Sequence, residues 1–249
     1  MIDTHAHLDS CGDSPTELIE RARQAGVTRV VTIGSGIQSC RESLAIAEQH
    51  EGVVCALGIH PHQAGDVADG DLDELRELLE HPLAVAVGET GLDFYRDHAS
   101  PSQQESVFRA QIELARETEK PLIIHAREAD EATLDVLGEH AEELTVILHC
   151  LSSEALARAT VERGYYGSFA GNITYPRAQQ LRAASSIVPD ERLLAETDSP
   201  YLAPQTVRGR PNEPAHVPHV YEALAAARSQ PVEACARMID ANASTALRL

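Results

Sequence analysis

Eight short apolar or β-branched runs recur along the 249 residues, at 2–7, 28–34, 53–59, 83–89, 121–125, 145–149, 165–169 and 193–197. Most segments between them carry helical periodicity. Strands that alternate with helices pair in parallel, because each crossover helix returns the chain to the same end of the sheet. Eight such units in about 250 residues suit a closed α/β barrel, the (β/α)8 or TIM barrel, as a single domain over 1–249. A doubly wound open sheet fits that strand count less well. In a barrel the catalytic side chains stand at the C-terminal ends of the strands, so those positions are where chemistry is sought.

The helix boundaries support the same division. Ser14-Pro15-Thr16-Glu17 reads as a capping box with proline at the first helical position, and Ser100-Pro101-Ser102-Gln103 repeats the pattern. The second opens the longest expected helix, about 101–118, with Val107, Ala110, Gln111, Leu114 and Ala115 as its mostly apolar stripe. The stretch 202–218 is richer in Pro and Gly and reads as a long loop after the last strand.

Acids outnumber bases 39 to 20, a formal charge of −19, and Lys120 is the only lysine. The acids are spread over many helix faces, which points to a halophilic protein whose surface stays hydrated in strong salt. A genome that favours Arg codons over Lys codons is the competing cause. Such a surface repels anionic membranes and does not supply a basic patch for nucleic acid. No apolar run approaches the length of a membrane span, and the first residues lack the pattern of a signal peptide. The expected location is cytoplasmic, with no membrane association and no obligate protein partner. Five scattered cysteines without a C-x-x-C read as reduced thiols. A thiol nucleophile at Cys150 is the one functional alternative among them.

Twelve histidines are many for this length, and several fall at strand ends. His5 and His7 close the first expected strand. Two residues apart on a strand, they point to one face and can reach one ion. Glu89 ends the fourth strand, His125 the fifth and His149 the sixth, and Asp198 follows the eighth. Four imidazoles and two carboxylates converging on one rim make a two-metal site. His5 and His7 with Asp198 suit a first ion, and His125 and His149 a second. Glu89, with two oxygens, suits the bridge. Paired ions polarise a phosphoryl or carbonyl oxygen and lower the pKa of a bound water. Asp198 is then the general base. Nitrogen-rich ligands fit Zn, Mn or Co better than Mg.

With these motifs in place, the sequence resembles the TatD family of metal-dependent hydrolases, within the amidohydrolase-like barrels. The resemblance runs through Ile2-Asp3-Thr4-His5-Ala6-His7, Gly58-Ile59-His60-Pro61-His62 and Gly88-Glu89-Thr90-Gly91-Leu92-Asp93. It continues through Ile124-His125-Ala126-Arg127, His149-Cys150, Glu196-Thr197-Asp198-Ser199-Pro200 and the loop Arg208-Gly209-Arg210-Pro211-Asn212-Glu213-Pro214. It implies a barrel holding two divalent ions on His5, His7, Glu89, His125, His149 and Asp198. It also implies a deoxyribonuclease that removes nucleotides from DNA 3′ ends, with RNA as a further substrate. His60 and His62 are then placed to touch a substrate phosphate or a bound water. Asp93, expected in the loop over the site, is placed to orient a ligand histidine, and Arg127 to pair with a phosphate.

Other functions use the same residues. A two-metal ester or amide hydrolase, such as a deacylase acting on aminoacyl-tRNA, needs the same ligand set. A non-catalytic metal-binding protein is the third reading, but no ligand position is missing. The low aromatic content offers few stacking platforms for a nucleic-acid strand, with Tyr95, Tyr175 and Tyr201 as the candidates near strand ends. Arg208 and Arg210 form the densest basic cluster of the late loop, and His50, His81, His98, His140, His216 and His219 read mostly as surface residues.

Overall fold

The computed structural model describes residues 1–249 and contains eight strands in one sheet, each paired in parallel with the next in chain order. They are β1 (Ile2–Ala6), β2 (Arg29–Gly34), β3 (Val53–Leu57), β4 (Ala84–Asp93), β5 (Leu122–Arg127), β6 (Val146–Leu148), β7 (Tyr166–Phe169) and β8 (Leu193–Ala195). The helices between them are α1 (Pro15–Gln24), α2 (Ile37–Gln49), α3 (Asp71–Leu79), α4 (Pro101–Glu117), α5 (Asp130–His140), α6 (Glu154–Glu162) and α7 (Gln179–Ile187). α8 (Val217–Ala227) and α9 (Val232–Leu247) follow the last strand. The sheet closes between β1 and the segment after β8. The His7 N–H donates to the Ser199 carbonyl at 2.7 Å, and the Asp198 N–H to the His5 carbonyl at 2.9 Å. This is the (β/α)8 barrel expected from the alternation. No helix is long and apolar enough to cross a membrane.

The interior of the barrel has an apolar floor. Ile2, Val31, Ile33, Ala56, Ala86, Ile123, Ile147, Tyr166 and Leu194 come from the strands, and Ala243, Ala246 and Leu247 of α9 pack beneath them. α9 is pinned to the start of β8 by Asn242, whose Nδ2 donates to the Asp190 and Leu193 carbonyls at 2.6 and 3.0 Å. The C-terminal helix therefore caps the N-terminal end of the barrel. A buried Ile there contributes about 1.5–3 kcal/mol. A larger cluster of 48 buried residues fills the space between the strands and the helix ring.

Both expected capping boxes form. Ser14 Oγ accepts from the Glu17 N–H, and Ser100 Oγ accepts from the Gln103 N–H at 3.3 Å. The stripe of α4 differs from expectation. Its buried residues are Gln104, Phe108, Gln111, Ile112, Leu114 and Ala115, while Val107 and Ala110 are only half-buried. Gln111, Leu114 and Ala115 of the expected stripe are buried as read, and the buried face adds a second glutamine, Gln104, one heptad before Gln111, which an apolar-periodicity count passes over. Asp93 also differs. It is the last residue of β4 and fully buried, not a loop residue, because β4 runs four residues past Glu89.

Candidate active site

The histidines and carboxylates reach the barrel interior by two routes. In β5, β6 and β8 the period of two is enough. Ile123 in the floor is followed by His125, Ile147 by His149, and Leu194 by Glu196 and Asp198. In β1 and β4 it is not, because Ile2 and Ala86 have the opposite parity to His5, His7 and Glu89. Both strands shift register at that point: β1 between Asp3 and Ala6 against β2, and β4 between Val87 and Thr90 against β5. An inserted residue turns the following side chains to the other face. In β4 the break is flanked by Gly88 (φ 141°) and Gly91 (φ 135°), where a Cβ would come within 2.5 Å of the Ile123 carbonyl and 2.1 Å of the His125 carbonyl. Only glycine meets both demands.

Glu89 is the centre of the arrangement, and its two oxygens face different groups. Oε2 lies 3.4 Å from His5 Nε2 and 3.6 Å from His7 Nε2. The His5 and His7 Nε2 atoms are 3.3 Å apart, and Asp198 Oδ1 stands 3.9 and 3.6 Å from them. Oε1 lies 2.7 Å from His125 Nδ1, 3.0 Å from His149 Nε2 and 3.5 Å from His60 Nε2. The structure thus brings together all six side chains expected as ligands and adds His60 to the second group. His149 stacks on His5 with ring centroids 3.9 Å apart. The first group is buried, whereas His60 and His125 are half-buried and face the opening.

Asp93 couples the outer histidines. Its Oδ2 lies 2.8 Å from His62 Nε2 and 3.2 Å from His125 Nε2. Arg127 at the end of β5 makes no ion pair with a carboxylate; its guanidinium lies 3.9 Å from the centroid of the Tyr95 ring. Asp198 has a left-handed backbone (φ 54°), which a short polar side chain tolerates.

Charge follows geometry. Burial alone would raise the Glu89 carboxyl, but the charges of His149 and His60 and hydrogen bonds from His125 and His149 hold it well below the ordinary carboxylate range. Burial, reinforced by the charge of His149, pushes His5 down to about 3, and burial pushes His60 down to about 4. Burial also acts to lower His7, His125 and His149, but the carboxylates around them outweigh it and raise all three. Burial together with Asp198, Glu196 and Glu89 pushes the Cys150 thiol well up, so it stays protonated and is a poor nucleophile.

Three residues that shape the site were not anticipated. Glu196 is buried, and its Oε1 accepts from the Cys150 N–H at 2.8 Å and lies 3.0 Å from His149 Nδ1. A carboxylate behind a histidine fixes its tautomer and orientation. The position of Glu196 two residues before Asp198, directly after β8, is the signal that points to it. Gln104 on α4 accepts from the Asp93 N–H at 2.8 Å and donates to the Asp93 carbonyl at 3.0 Å. Gln111 accepts from the Ile59 N–H at 2.7 Å and donates to Thr90 Oγ1 at 2.7 Å. Together they clamp the segment just after β3 and the irregular half of β4.

The donor set fits divalent cations of borderline softness. Nitrogen and oxygen atoms of His5, His7 and Glu89 lie within 4.8 Å of one another, as do those of His60, Glu89 and His125, and those of His5, His149 and Glu196. His5 Nδ1 is buried without a hydrogen-bond partner. Imidazoles clustered this closely around one carboxylate form the kind of nitrogen and oxygen donor set that such ions take.

Comparison with known proteins places the whole chain in one family. The family model described as TatD related DNase matches residues 2–248. A Mycobacterium tuberculosis protein named uncharacterized metal-dependent hydrolase TatD is 42% identical, over 100% of this chain and 98% of its own length. A Musicola paradisiaca protein named 3′-5′ ssDNA/RNA exonuclease TatD is 37% identical, over 93% and 91% of the two chains. The crystal structure of YJJV, a TatD homolog from Escherichia coli, superposes with a TM-score of 0.93 at 31% identity, covering 100% of this chain and 98% of that one.

Proposed function

This chain belongs to the TatD family of metal-dependent hydrolases, and from that premise we propose that it removes nucleotides from the 3′ ends of single-stranded DNA, and of RNA as well. One observation carries the proposal: the two oxygens of Glu89 divide the ligand atoms into two groups, with Asp198 beside the first. That division suits two divalent ions, held by His5, His7 and Asp198 on one side and by His125 and His149 on the other, with Glu89 between them. Zn, Mn and Co match the nitrogen-rich set better than Mg. When bound, such ions polarise the phosphoryl oxygens and make a water easier to deprotonate.

The protein groups then have distinct tasks. Asp198 takes the proton of the attacking water as the new phosphorus–oxygen bond forms; the bond to the departing oxygen breaks, and that oxygen takes a proton from solvent to become the 3′ hydroxyl of the shortened strand. Asp93 orients His125 and His62 through one carboxylate. His60 and His62 stand on the open side, where a phosphate enters. Arg127, exposed and without an acid partner, offers its planar fork to a phosphate oxygen. We propose further that residues 1–249 act as one catalytic domain, since both chain ends meet in the barrel. The Tyr221 hydroxyl of α8 donates to the Ile2 carbonyl at 2.8 Å, and the Ile2 N–H donates to Asp240 of α9 at 3.0 Å. The active chain is taken to be cytoplasmic, and the dispersed acidic surface to suit strong salt.

The test is digestion of 5′-labelled single-stranded DNA with Zn, Mn, Co or Mg, in low and high salt, by wild type and Asp198→Ala. Stepwise shortening by wild type alone is expected. Shortening unaffected by Asp198→Ala, or hydrolysis of esters or amides with no shortening, overturns the proposal.

A further inference from the structure

Of 3 Phe and 6 Tyr in the chain, only Phe94, Tyr95 and Tyr201 are exposed, at 41%, 50% and 57%. All three stand on loops that leave the C-terminal ends of β4 and β8. A chain so sparing of aromatic residues leaves them open to solvent at the rim of the candidate site and nowhere else. Tyr175 also lies near this rim but is half-buried, its hydroxyl donating to the Ala203 carbonyl at 3.1 Å.

The backbone at Tyr95 is anchored to β4. Its N–H and that of Arg96 donate to Asp93 Oδ1 at 2.9 and 3.0 Å, while the other oxygen of that carboxylate faces His62 and His125. The Phe94 N–H donates to the Arg127 carbonyl at 2.9 Å. The Arg127 and Arg96 guanidinium groups lie 3.9 and 5.1 Å from the centroid of the Tyr95 ring. Neither arginine pairs with a carboxylate, although the chain carries 39 of them. Tyr201 is tied to the opposite side. Its N–H donates to the Asp198 carbonyl at 2.8 Å, its carbonyl accepts from Asn212, and its ring lies 5.9 Å from that of His7. Each ring is thus one short linkage from a different half of the Glu89 cluster.

We propose that Tyr95, backed by Arg127, and Tyr201 are stacking platforms for unpaired bases on either side of the phosphate being cleaved. A base has the same flat face whatever its identity, so the platforms select single strands without selecting sequence. Bases within a duplex are already stacked and paired and offer no free face. Stacking also suits an acidic protein, because it needs no broad basic surface. The proposal rests on the 3′-end nuclease reading and specifies how that site takes its substrate.

The experiment compares kcat/KM on a 5′-labelled single strand of ordinary nucleotides with the same strand carrying two abasic terminal nucleotides. Wild type is expected to prefer the base-bearing end. Tyr95→Ala and Tyr201→Ala are each expected to lose about tenfold of that preference, mainly through KM. Tyr95→Trp, which restores a flat ring, is expected to retain it. A preference unchanged in both alanine variants overturns the proposal. So does an equal loss on both kinds of end, which marks a positional effect only. Equal use of both ends by wild type overturns stacking while leaving the nuclease standing. Failure of wild type to shorten any strand overturns the nuclease reading, and this one with it.

Discussion

The two ends of the barrel interior are built from the same eight strands and hold opposite contents. At the N-terminal end Ile2, Val31, Ile33, Ile123, Ile147 and Leu194 pack with α9, and the cluster holds no histidine, carboxylate or basic side chain. At the C-terminal end His5, His7, Glu89, His149, Glu196 and Asp198 are all buried, with their ligand atoms a few ångströms apart. The apolar end follows from burying hydrocarbon and contributes to stability. The polar end concentrates groups that burial alone would disfavour, and such an arrangement persists where a function needs it. Stability and chemistry are therefore separated along each strand by as few as two residues, as from Ile123 to His125.

Substitutions at the two ends should separate the two properties. Glu89→Gln removes the charge between the two ligand groups and is expected to lower turnover by about a thousandfold or more, with little change in the unfolding midpoint. Steady-state kinetics beside a thermal melt checks this, and a large loss of stability with turnover retained would merge the two ends. Ile123→Ala at the floor is expected to do the reverse. It should lose about 2–5 kcal/mol in urea unfolding while turnover at low temperature stays within a few-fold.

Smaller effects sharpen the boundary. Glu196→Gln keeps the shape but weakens the acceptor behind His149, and a metal titration should show affinity about 10–100-fold lower. Unchanged affinity would assign Glu196 to the backbone of Cys150 alone. Gln104→Leu leaves the buried N–H and carbonyl of Asp93 without their partner. The expected loss is about 1–3 kcal/mol in denaturant unfolding. A neutral result would show that the end of β4 holds without α4.

The legibility of the sequence differed between these regions for physical reasons. Alternation of strand and helix was enough for the barrel, since eight parallel units leave few other closures. His125, His149 and Asp198 were legible because each stands at or just past the end of an apolar run, where a barrel places its active site. His5, His7 and Glu89 were legible as strand-end residues, but the register breaks that turn them inward were not. Only the glycines at 88 and 91 hint at the break in β4, and β1 carries no such mark. Gln111 was legible as part of the α4 stripe but its role was not, and Gln104 was missed altogether, because their amides bond to groups distant in sequence, which no periodicity encodes. Asp93 was misplaced for a related reason: β4 continues beyond its apolar run, held by those same glutamines.

The most direct measurement is the number of divalent ions bound per chain, by calorimetric titration of the metal-free protein, in wild type and Glu89→Gln. Two ions in wild type and at most one in the variant are the predicted result. Two ions retained in Glu89→Gln, or none bound by wild type, would contradict the assignment of the polar end of the barrel to a metal centre shared across Glu89.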